Sequence, residues 1–277
     1  MNLVVQGAPL APDTLDQLRQ AAGATAVTPL GQQACRLENA HHTLALAALC
    51  RRIGLDCCAT LDRPLTAYGL FVTDMDSTLI DIECIDELAD LAGRGEEVAT
   101  ITAAAMRGDI AFAESLSRRT ALLQGLPESA FVEVFEQRLH LNPGAERLLA
   151  ALKAANVYTV LVSGGFTFFT ERLKLRLGFD EAHANTLEIE TCNGQLTGQL
   201  VGPLIDASAK AEVLRTARER LNLSPEQTIA VGDGANDLLM FREAGLAVAW
   251  RAKPILRAAA GCSLNHSGLD GILNLFD

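Results

Sequence analysis

The stretch FVTDMDSTLI, Phe71 to Ile80, places Asp74 and Asp76 one residue apart where an apolar run ends. A solvated turn is the plainest reading of such a pair, so distant residues must agree before a catalytic one displaces it. GLFVTD, VYTVLVSGG and TIAVGDG are three short apolar runs, each ending in small or polar residues, as strands covered on both faces do. Helical patterns alternate with them from Tyr68 onward, which predicts an α/β fold with a parallel sheet. Ligands of such sheets bind beyond the carboxyl ends of the strands. If the three strands are neighbours, Asp74 and Asp76, Ser163-Gly164-Gly165, and GDGAND from Gly232 to Asp237 converge on one crevice.

Between the first two runs lies an insert, Ile85 to about Leu139, in which only helical patterns occur: IDELADLAG, EEVATITAAAMRG, FAESLSRRTALLQG and PESAFVEVFEQRL. It is too long for a simple crossover and predicts a small helical cap at about 84–140. NTLEIETCNGQLTGQLVG alternates apolar and polar residues around Asn193-Gly194, a hairpin signal. Ahead of all this, NLVVQG, DTLDQLRQAAG, TAVTPL, QACRLE, AHHTLALAALCRRIG and DCCATL read strand, helix, strand, strand, helix, strand. That order is the ferredoxin-like βαββαβ motif, which resembles ACT-type regulatory domains. The expected division is an α+β unit at 1–66 and the α/β core at 67–277, with DRPLTAYG as the linker. Whether the first unit binds an amino acid or mediates a homodimer is left open.

Composition narrows the classes. The chain has 277 residues, 49% of them apolar, enough for one large domain or two smaller ones. Its 23 basic and 34 acidic residues give a net charge of -11, which argues against nucleic-acid and anionic-membrane surfaces. A phosphorylated substrate would then need a local cation. The seven cysteines (35, 50, 57, 58, 84, 192 and 262) are odd in number and lack C-x-x-C spacing, so they read as free thiols of a reducing compartment. The five histidines share no ligand spacing. The N-terminus has no basic n-region, and no apolar segment approaches the ~18–20 residues of a membrane span, so the expectation is a soluble, cytoplasmic protein.

The crevice residues suit a phosphate and a divalent metal. Carboxylate oxygens are the hard ligands magnesium prefers, and glycine amides at a helix start favour an anion. Lys210 in DASAKAEVL is a candidate for the missing cation.

Asp74-Met75-Asp76-Ser77-Thr78, Ser163-Gly164-Gly165-Phe166, Lys210 and Gly232-Asp233-Gly234-Ala235-Asn236-Asp237 together resemble the successive motifs of the haloacid dehalogenase phosphatase superfamily. The likeness runs from about Tyr68 to the C-terminus, in the family's order and spacing. It implies a Rossmann-like core, Mg²⁺ as cofactor and phosphoserine as the small-molecule substrate. Asp74 would be the nucleophile that forms an aspartyl-phosphate, and Asp76 the general acid and base. Asp74, the Asp76 backbone carbonyl and Asp233 match the metal ligands, with Asp237 an outer partner. Ser163, the Gly164 amide and Lys210 match the phosphate clamp, and Asn236 a polar position of the same site. Glu83 corresponds to the carboxylate that receives an amino group, and Arg119 to the guanidinium that grips a carboxylate. Of the adjacent Arg118 and Arg119, only the second falls in register. Met106 and Phe112 match apolar cap positions that help exclude water.

Other classes fit less well. A signalling receiver also phosphorylates an aspartate at a strand end, but it is shorter, lacks a cap and needs no acid two residues on. Transport ATPases need membrane helices. A catalytically silent amino-acid sensor would not require candidates at every catalytic position.

Overall fold

A computed structural model describes residues 1–61 and 63–276; of the expected linker, Asp62 lies outside the described residues. The α/β expectation holds for the larger part of the chain. Strand β1 (Leu3–Gln6), helix α1 (Pro12–Ala22), strands β2 (Ala26–Pro29) and β3 (Ala34–Glu38), helix α2 (Leu44–Ile53) and strand β4 (Asp56–Ala59) follow the expected order. Every described pairing among these strands is antiparallel, and the sheet runs β2-β3-β1-β4, compatible with the ferredoxin-like motif. Both helices end on a glycine in the left-handed region, Gly23 (φ 60°) and Gly54 (φ 69°), as the sequence breaks suggest. Leu18, Ala22, Leu46 and Leu49 bury their apolar stripe against Leu3, Val5 and Leu37.

After a 3-10 turn at Leu65–Ala67, β5 (Leu70–Thr73) enters the second sheet, and four helical segments follow. They are α3 (Cys84–Leu91), α4 (Gly95–Met106), α5 (Phe112–Ala121) and α6 (Ser129–Glu133), the last running into a π-turn at Val134–Arg138. Then come α7 (Ala145–Ala154), β6 (Tyr158–Phe166), α8 (Thr167–Leu177), β7 (Glu181–Ile189), β8 (Leu196–Val201), α9 (Ala207–Arg220) and β9 (Thr228–Gly232). The chain closes with α10 (Leu238–Glu243), β10 (Leu246–Trp250), α11 (Pro254–Ala259) and β11 (Cys262–Leu264). The sheet order is β11-β10-β9-β5-β6-β7-β8, parallel throughout except for the β7–β8 hairpin. β5 therefore lies between β6 and β9, and the three apolar runs are neighbours. All four of its residues are buried. β10 and β11 escape the sequence pattern: LAVAW is too short for its period to distinguish strand from helix, and CSL shorter still.

The free-thiol reading needs correction, because Cys58 and Cys262 form a disulfide with Cα atoms 5.5 Å apart. Their 204-residue separation hides the pairing from any spacing rule. Alternation along β4 explains the choice. Cys58 points into the large core cluster beside β11, whereas Cys57 packs against the cluster of the first sheet. Asp56 reinforces the junction by accepting hydrogen bonds from the backbone amides of Asn265 (2.7 Å), His266 (3.0 Å) and Ser267 (2.9 Å).

Candidate active site

The loop after β5 folds back tightly. The amides of Thr78, Leu79 and Ile80 all donate to the Met75 carbonyl, with Ser77 in the left-handed region at φ 55°. The chain entering the helical insert is tied to the chain leaving it: Ile80 bridges Leu141, and the Asn142 side chain donates to the Thr78 and Ile80 carbonyls at 2.8 Å each. The stems of the insert thus rise beside Asp74 and Asp76.

Asp74 is buried, with one oxygen 2.6 Å from the Lys210 ammonium and the other accepting from the Met75 amide at 2.7 Å. Lys210, Leu214 and Ala217 form the buried stripe of α9, so the lysine follows the helix's apolar face inward. It also reaches Asp237 at 2.9 Å. Burial opposes its charge, yet Asp237 and Asp74 hold its pKa above the ordinary lysine value. For Asp74 burial dominates and pushes the carboxyl well up, with Lys210 opposing.

Asp76 faces differently. One oxygen accepts from the Cys84 amide at 3.0 Å and the other from the Ser163 hydroxyl at 3.1 Å, while Ser163 accepts from the Gly165 amide at 2.8 Å. Burial, then the Glu83 charge, raise its pKa to about 7 against those hydrogen bonds. A Cβ at Gly165 would lie 2.5 Å from the Asp76 carboxylate, so glycine is required for this close approach. Glu83 accepts from the Ser77 hydroxyl at 2.7 Å.

The third loop turns as the GDGAND composition implies. Asp237 caps it by accepting from the Asp233 and Gly234 amides at 3.2 Å each, and Asn236 donates to Asp74 at 3.4 Å. Asp233 meets the Thr78 hydroxyl at 3.4 Å, and burial followed by Asp237 raises its pKa to about 6.

One oxygen each of Asp74, Asp233 and Asp237 lies within 4.8 Å of the others. Of the three, Asp74 and Asp233 line the cavity and Asp237 does not, which makes Asp74 and Asp233 the pair that faces an incoming cation. Their hard oxygen donors and raised proton affinities fit a divalent cation of the magnesium type. The Asp76 side chain belongs to a different network, so any contribution from that residue to a cation falls to its backbone carbonyl.

A cavity of about 650 Å³ unites these groups. Its lining includes Asp74, Asp76, Asp233 and Asn236 from the loops after β5 and β9, Ser163 and Gly164 from the last residues of strand β6, and Glu83 and Arg119 from the chain entering the insert and from the insert. Lys210, matched to the phosphate clamp in the sequence, is buried and does not line the cavity, which it meets through its contact with Asp74. Arg118 is directed to solvent and pairs with Glu114 at 2.5 Å, so the arginine facing the cavity is Arg119. Burial lowers the Arg119 pKa, opposed by Asp86, Glu83 and Asp76. Met106 and Phe112 line the mouth but are 66% and 37% exposed, so the apolar rim stays open to water. Sequence reasoning missed Asn185, which donates to the Gly164 carbonyl at 2.8 Å and accepts from the Ile205 amide at 2.8 Å. It also missed Asp86, Thr102 and Ser115, whose only signal was helical spacing on the cavity face.

Residues 71–242 match the haloacid dehalogenase-like hydrolase family. The chain belongs to that family. It is 51% identical over 217 residues to a phosphoserine phosphatase of Albidiferax ferrireducens, covering 76% of this chain and 91% of that one. Among solved structures it resembles the unliganded probable phosphoserine phosphatase of Vibrio cholerae, with a TM-score of 0.87 and 38% identity over 99% of this chain and 86% of that one. A substrate-bound phosphoserine phosphatase complex matches at TM-score 0.70 and 38% identity, over 76% of this chain and 99% of that one. No helix of the described residues is long and apolar enough to cross a membrane.

Proposed function

We propose that the chain is a phosphoserine phosphatase, hydrolysing O-phosphoserine to serine and inorganic phosphate, the last step of serine biosynthesis. The observation that carries this reading is a single cavity with two kinds of lining. Asp74, Ser163 and Gly164 suit a phosphoryl group, and Glu83 and Arg119 suit the ammonium and carboxylate of an amino acid. The relatives' names point the same way.

Asp74, whose charged form Lys210 favours against the effect of burial, attacks phosphorus and forms an aspartyl-phosphate. Asp76, with a pKa near neutrality, still carries a proton to give to the departing serine oxygen. It then takes a proton from the water that hydrolyses the intermediate. The Ser163 hydroxyl and Cys84 amide orient its carboxyl for both transfers. Mg²⁺, held by Asp74, Asp233 and the Asp76 carbonyl, would neutralise charge on the phosphoryl oxygens. Residues 84–140 serve as a cap over a core of 67–277, and residues 1–66 as an ACT-like regulatory or dimerising unit.

The test is phosphate release from phosphoserine, phosphothreonine, phosphoethanolamine and sugar phosphates, with and without Mg²⁺. Phosphoserine should be preferred and turnover should need the cation. Equal rates across the panel would overturn the substrate assignment.

A further inference from the structure

Three polar atoms on the α4 and α5 wall of the cavity are buried without a hydrogen-bond partner: Thr102 Oγ1, Ser115 Oγ and Arg119 Nε. Ser115 is only 1% exposed. A buried hydroxyl in a helix normally relieves itself by bonding a carbonyl one turn back. Buried Thr120 on α5 does so, to the Ser117 carbonyl at 3.0 Å, and even exposed Thr100 on α4 bonds the Glu96 carbonyl at 2.9 Å. Thr102 and Ser115 do not, and both line the cavity instead. Their spacing explains the direction: Thr102, Ala105 and Met106 share one face of α4, and Phe112, Ser115, Leu116 and Arg119 one face of α5.

The guanidinium Nε–H can only donate, and a hydroxyl can donate to whatever arrives. Donors gathered on one wall suit a planar anion, while Glu83 and Asp86 in the same cavity suit an ammonium group. We infer that the Ser115 and Thr102 hydroxyls donate, beside Arg119, to the α-carboxylate of the substrate. They thereby select amino-acid phosphomonoesters over amine phosphomonoesters. This rests on the phosphoserine reading and adds two specificity residues to it.

The experiment measures kcat and KM of Ser115→Ala and Thr102→Val on phosphoserine and on phosphoethanolamine, which lacks the carboxylate. Where turnover of the second is too slow, it is measured as a competitive inhibitor. Loss of one hydrogen bond to a charged group predicts about a tenfold fall in kcat/KM for phosphoserine, carried mainly by KM. Phosphoethanolamine should lose less, so the preference between the two shrinks. Equal losses on both substrates would mark a structural role and overturn the inference, as would an undiminished preference in both variants. Thr102→Val, close in shape to the native residue, supplies the readout if Ser115→Ala folds poorly. A wild-type protein with no preference for phosphoserine would instead overturn the function on which the inference rests.

Discussion

Asp74 shares Lys210 with Asp237, and the three charges occupy a site almost closed to water. Asp74→Asn removes the proposed nucleophile but leaves the Lys210–Asp237 pair, so turnover should vanish while circular dichroism and the thermal transition still report a folded protein. Retained activity near wild type would refute the assignment. Arg119 and Arg118 are adjacent in sequence and opposite in environment, the first on the cavity wall and the second in a solvent-side pair with Glu114. Arg119→Ala should cost on the order of 1.5–3 kcal/mol of phosphoserine affinity, about tenfold or more in KM. Arg118→Ala should change KM by less than about twofold, as surface pairs contribute little. The reverse order of effects would move the carboxylate grip to Arg118.

At the scale of elements, the site is an arrangement of strand ends. β5 and β9 stop at nearly one level while β6 runs on to Phe166, and each delivers a different group: carboxylates, a hydroxyl with glycine amides, and a capped acidic turn. At Gly165, β6 passes so near the loop after β5 that an added Cβ would lie 2.5 Å from the Asp76 carboxylate. Gly165→Ala should therefore displace Asp76 or Ser163 and lower kcat by on the order of 100-fold, the cost expected when a reacting group shifts by about 1 Å. Steady-state kinetics beside a denaturation curve would separate this from general loss of fold, and a kcat close to wild type would show that the contact is slack.

For the whole molecule, the carboxylates gathered around the cavity set a pH dependence. The Asp76 and Asp233 pKa values, about 7 and about 6, lie above the ~3.9 of an unfolded chain. The folded state therefore holds protons that the unfolded state releases. That contribution is complete below about pH 4 and lost as pH rises through 6 and 7. Cation-free protein should melt at a lower temperature at pH 8 than at pH 5, and Mg²⁺ should recover more stability at pH 8, where the carboxylates are free to bind it. A melting temperature at pH 8 indifferent to Mg²⁺ would argue against a cation between Asp74 and Asp233. The two sheets are joined at the β4–β11 junction by the Cys58–Cys262 bond and by the amides of Asn265, His266 and Ser267 that donate to Asp56.

The sequence by itself determined the family motifs and most of the element order. Strand ends carrying D-x-D, S-G-G and GDGAND were legible because apolar runs, glycines and carboxylates leave local patterns. The βαββαβ order and the four helical segments of the insert followed from period and helix-ending glycines. Only the tertiary structure decided what depends on residues far apart in the chain. It brought Lys210 inward to Asp74, joined Cys58 to Cys262 and left two hydroxyls without partners on the cavity wall. Each of these turns on which face of a helix or strand meets which neighbour, and a one-residue change of register reverses the answer without altering the local pattern.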